Sequence, residues 1–100
     1  MSVSRINQQL IDLNYQIDVL KADLFQSKEQ FESMDELAQD AKIRAMVSET
    51  PDQANYSHDL AATRDRLAKV IASINEEIRI LKLKQDELLE KLFEESKDSE

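Results

Sequence analysis

An all-α fold is predicted, a long antiparallel helical hairpin built as a two-helix coiled coil, and three features of the sequence predict it. Apolar residues recur by threes and fours in both halves. The chain holds no Gly and one Pro, and its strongest turn signal lies at its middle. Alternation by three and four is a period of 3.5, which keeps one stripe of each helix against its neighbour and implies a left-handed supercoil. The near absence of both helix breakers lets such segments run long without interruption.

The first helix is expected over about residues 3–47. Its seam is Val3, Ile6, Leu10, Leu13, Ile17, Leu20, Leu24, Ser27, Phe31, Met34, Ala38, Ala41 and Ala45. Ser33-Met34-Asp35-Glu36 within it also fits a capping box, the pattern of a helix start, so a kink or break there competes with the uninterrupted register. The turn is expected over about residues 48–51, because Ser48-Glu49-Thr50-Pro51-Asp52-Gln53 reads as a stop followed by a start. Thr50 is the expected N-cap, Pro51 the first helical residue, and Gln53 the closing member of a capping box.

The second helix is expected over about residues 51–94. Its seam is Leu60, Arg64, Leu67, Ile71, Ile74, Ile78, Leu81, Gln85, Leu88 and Leu92, with a frayed acidic tail over 95–100. A connection this short makes the helices antiparallel neighbours, since a parallel return needs a connector as long as a helix. Leu24 is then expected near Ile74 and Ile78, Phe31 near Ile71, and Leu10 near Leu88 and Leu92. The whole is one helical-hairpin domain.

Three polar residues occupy the seam, Ser27, Arg64 and Gln85; polar groups there cost stability and fix register. Arg64 is expected to face the small side chains of Ala38 and Ala41, with Asp35 in reach.

The formal charge of −8 divides evenly, with 5 basic and 9 acidic residues in 1–50 and 8 basic and 12 acidic in 51–100. Neither half has the basic balance that nucleic-acid backbones or anionic lipids select. The basic residues of the second helix are interleaved with acidic ones, and Asp65–Lys69 and Glu87–Lys91 have the spacing of helical ion pairs. No apolar stretch approaches the roughly 20 residues of a membrane span, and the N-terminus shows no basic start followed by an apolar run. The expectation is a soluble, acidic, cytoplasmic protein without nucleic acid, membrane or small-molecule substrate as partner.

Catalysis is not expected. Without Gly no phosphate-cradling loop can form. Without Cys there are neither disulfides nor thiolate metal sites. Ser57, His58 and Asp59 hold the letters of a hydrolytic triad, yet as helical neighbours they point about 100° apart and cannot hydrogen-bond in series. The inward positions are aliphatic and the one His lies on an outer face, so neither metal nor other cofactor is expected.

What remains is association. A two-helix seam leaves Ile11, Tyr15, Val19, Ala22 and Phe25 on the first helix and Ile80, Leu83, Leu89 and Phe93 on the second without cover. Both groups fall away from the turn, and a second hairpin packed there would give a homodimeric four-helix bundle. The self-association residues are therefore Ile11, Tyr15, Val19, Phe25, Ile80, Leu83, Leu89 and Phe93, although a different protein could cover the same side. Toward the turn the seam narrows to Ala38, Ala41 and Ala45, leaving Ile43, Met46, Val47 and Tyr56 off it beside acidic Glu49 and Asp52. These six form a candidate partner-binding tip, alongside the plainer reading of packing near a turn. The expected function is that of a non-catalytic protein-binding module: a scaffold, adaptor or small chaperone.

Thr50-Pro51-Asp52-Gln53-Ala54-Asn55-Tyr56 resembles the acidic hairpin tips of Gre-type transcript-cleavage factors. In that family a coiled-coil arm enters the secondary channel of bacterial RNA polymerase, and tip carboxylates act near the catalytic metal. The resemblance implies a regulator that inserts its tip into a larger enzyme, with Asp52 and Glu49 as the working carboxylates. Asn55 departs from it, standing where a second carboxylate is expected.

Overall fold

A computed structural model describes residues 2–98, the side chain of Asp98 excepted, and contains two α-helices, α1 (Val3–Ser48) and α2 (Pro51–Asp98). They pack against each other as a helical hairpin, with no strand among the described residues. α1 is continuous through Ser33–Glu36, so the break weighed there does not occur. Asp35, inside that stretch, accepts hydrogen bonds from Gln39 Nε2 at 2.9 Å and Arg64 Nη1 at 3.3 Å.

The seams are those the spacing predicts. From Ile6 to Ala45 every expected position of α1 is buried or half-buried, and so is every one from Leu60 to Leu92 on α2. Val3 is the exception, exposed at the first residue of its helix. On α2 the covered stripe extends back to Gln53 and Ser57 and forward to Glu95. The helix itself runs on to Asp98 rather than ending near 94. Lys97 is favourably placed in its last turn, with its ammonium 5.4 Å from the centre of the Phe93 ring. Ser99 and Glu100, also assigned to the frayed tail, lie outside the described residues.

The turn is built without glycine. The Glu49 backbone adopts φ 54°, the left-handed conformation that ends many helices, and its N–H reaches the Ala45 carbonyl at 3.0 Å. Thr50 then caps α2, accepting the Gln53 N–H on Oγ1 at 3.4 Å, which is one of the two bonds of a capping box. Pro51 is the first helical residue, where its missing N–H costs nothing.

Contacts divide the hairpin into two compact units, one of the α1 residues up to Asp23 with the α2 residues from Ile74, the other Leu24–Ser73. Each has a thin core. In the first, Ile6, Ile17 and Ile78 are buried; in the second, Ala38 and Ala41. The alanines make room for the half-buried Arg64, whose guanidinium reaches Asp35 across the two helices and Asp65 on its own. Asp65 thus serves Arg64 instead of the Lys69 its spacing suggested.

Candidate functional site

In the unit formed by the two chain ends, α1 and α2 leave an apolar groove along one side of their seam. Tyr15, Val19 and Leu20 line it from α1 and Ile80 and Leu81 from α2, with Gln16 and Glu77 as its polar members. It holds about 400 Å³. Leu20 and Leu81 are seam residues seen from the side, while Tyr15, Val19 and Ile80 stand 71%, 43% and 41% exposed at its edges. Gln16 continues it into a second, polar stretch lined by Gln9, Asp12 and Leu13 from α1 and by Lys84, Glu87, Leu88 and Lys91 from α2. The pairing of 9–16 with 84–91 and of 15–20 with 77–81 is the antiparallel order of a hairpin.

All eight residues proposed for self-association are exposed, yet they do not form one surface. Tyr15, Val19 and Ile80 meet at the groove; Ile11, Leu83, Leu89 and Phe93 do not line it. Helical phase explains Leu89 and Phe93, since Ile80 and Leu89 are nine residues apart and point about 180° apart around α2, whereas Ile11 and Leu83, one turn from Tyr15 and Ile80, share the groove's side beyond its lining. Phe25 belongs to the other unit. Spacing that merely places a residue off the seam merges two opposite sides of a helix. Gln16, Asp12, Lys84 and Lys91 were legible only as solvated polar residues until the groove gave them a common side.

In the Leu24–Ser73 unit, Phe25, Leu37 and Val70 are exposed, the last two unforeseen because they directly precede seam residues. Leu37 lines a groove with Met34 and Leu67, bordered by Gln26, Glu29, Gln30, Ser33 and Thr63. Nearer the turn, Lys42, His58, Ser57, Gln39 and Arg64 surround a cleft floored by Ala38 and Ala61. The tip residues Ile43, Met46 and Tyr56 are exposed, and Val47, at 81%, is the most exposed large apolar residue described. Glu49 and Asp52 are exposed beside them, Asp52 in the first turn of α2, where a carboxylate suits the helix dipole.

No family model, curated protein or solved structure matches the chain. Among the described residues no three His, Cys, Asp or Glu side chains lie together as a metal site, and no helix is long and apolar enough to cross a membrane.

Proposed function

We propose that the protein is a non-catalytic protein-interaction module, a coiled-coil hairpin that self-associates through the Tyr15–Val19–Ile80 groove and serves as scaffold, adaptor or small chaperone. The observation that carries this reading is the groove itself: half-exposed apolar side chains from both helices converge on an open seam flank. A helix laid into such a groove is a recurring mode of recognition. A hairpin of the same sequence supplies helices of the right kind, and two-fold dimers are the commonest assemblies.

Magnitudes favour a modest affinity. Covering a fully exposed large side chain contributes about 1.5–3 kcal/mol. Tyr15, Val19 and Ile80 already have part of their surface covered, so three from each protomer contribute about 6–9 kcal/mol, against an association cost of about 4 kcal/mol or more. The surplus, about 5 kcal/mol at most, corresponds to a dissociation constant of about 0.2 mM or weaker. Sedimentation equilibrium of the chain and of Val19→Glu tests it. The wild type should dimerise in the high micromolar to millimolar range and the variant should not; a wild type monomeric at millimolar concentration contradicts the reading.

The exposed tip supports a second reading, because Ile43, Met46, Val47 and Tyr56 surround the turn with acidic Glu49 and Asp52. There the hairpin would bind another protein, as a regulator that inserts its tip into a larger enzyme. Met46→Glu or Tyr56→Ala should then abolish partner binding with helicity unchanged, and Asp52→Asn should remove activity while leaving binding intact.

A further inference from the structure

We infer that the cleft floored by Ala38 and Ala61 is a proton-dependent site for a compact oxyanion of the sulfate or phosphate type, held by Lys42 and Arg64 once His58 carries its proton. The cleft lies wholly within the Leu24–Ser73 unit and shares no residue with the groove of Tyr15, Val19 and Ile80.

Its lining sets it apart in a chain of net charge −8. Each of the other three grooves carries at least one carboxylate, whereas this one carries none. Gln39 and Lys42 from α1 and Ser57, His58 and Arg64 from α2 are all able to donate hydrogen bonds. Because Ala38 and Ala61 are small, the cleft keeps about 330 Å³ between these donors. A fully ionised oxyanion only accepts hydrogen bonds, so it matches such a lining.

The cations are not equally available. Arg64 uses three of its five N–H groups on acids outside the cleft, Nε and Nη2 on Asp65 and Nη1 on Asp35, which leaves one on each terminal nitrogen. Lys42 and His58 pair with no carboxylate among the described residues. No residue three or four positions from either is acidic; Asp40 and Arg44, which flank Lys42, pair with each other, and Asp59 stands about 100° round the helix from His58. With a neutral imidazole, Lys42 and Arg64 are therefore balanced by Asp35 and Asp65. An imidazolium at His58 gives the site its net positive charge, and an imidazole ordinarily takes up that proton between about pH 8 and pH 5. Anion binding should consequently strengthen as pH falls.

Sulfate tests this, since it stays doubly charged throughout that range. Amide resonances of the full chain are followed as sodium sulfate replaces sodium chloride at constant ionic strength, at pH 5.5 and pH 8, with circular dichroism confirming equal helicity. Residues around Lys42, His58 and Ala61 should shift saturably, with affinity about fivefold higher at pH 5.5. Lys42→Gln, at an exposed position, should abolish the shifts, and His58→Lys should bind as well at pH 8 as at pH 5.5. Shifts no larger than chloride produces, or shifts that survive in Lys42→Gln, overturn the site. Equal wild-type affinity at the two pH values, or a His58→Lys variant as pH-dependent as the wild type, overturns the role of the His58 proton and with it the inference.

Discussion

Glu49 concentrates the cost of building a turn without glycine. An L-residue with a side chain at φ 54° crowds its own carbonyl, and Glu has no short polar group to compensate. Glu49→Gly should therefore stabilise the hairpin by about 0.5–1 kcal/mol, visible as a higher urea midpoint at unchanged slope. Arg64 and Asp35 are a different matter. Their side chains remain 29% and 32% exposed, so water screens the pair, and a double-mutant cycle of Arg64→Met and Asp35→Asn should give a coupling of about 0.5–1 kcal/mol. Arg64→Met alone should lower the midpoint slightly, because it leaves the half-buried Asp35 without its cation, whereas replacing both partners should cost little. Glu76 is held below the ordinary carboxylate range by its hydrogen bonds from Arg79, at 2.6 and 2.9 Å, assisted by the guanidinium charge and opposed by desolvation. A lowered folded-state value means that whatever the pair contributes is present above the unfolded carboxylate's range and is lost as pH falls through the lowered value. Nuclear magnetic resonance titration should place Glu76 below its value in Arg79→Gln.

Single elements were the most legible scale, because a 3.5 period written over this many turns leaves each seam little choice of face. Ile6, Ile17, Ala38, Ala41 and Ile78, the most buried residues, are all seam positions, and Thr50 and Pro51 start α2 where their chemistry requires. Thr50→Ala should cost about 0.5–1 kcal/mol in chemical denaturation, toward the low end for a cap because its bond is long. Two things were not legible. Ser33–Glu36 carries the letters of a helix start inside a continuous helix, and the letters of that stretch alone do not choose between the two. Off-seam residues such as Ile80 and Leu89 look alike in a period of 3.5, although three-dimensional phase sends one into the groove and the other away from it.

At the scale of the whole molecule, so thin a core would couple folding to association under the proposed reading. Two layers of helix bury little surface, and most seam residues here are only half-covered. A partner that binds the folded form shifts its melting upward by mass action, so the melting temperature should rise with protein concentration and the rise should vanish in Val19→Glu. That coupling also gives the tip its use in the second reading, since a module held together at one site can present another. The most direct test of the central claim is sedimentation equilibrium of the wild type beside the double variant Val19→Glu/Ile80→Glu. Both substitutions lie at half-exposed groove edges, where they should leave helicity intact. A concentration-dependent monomer–dimer equilibrium in the wild type and a monomer in the variant is the predicted result; the same mass for both at every concentration would contradict it.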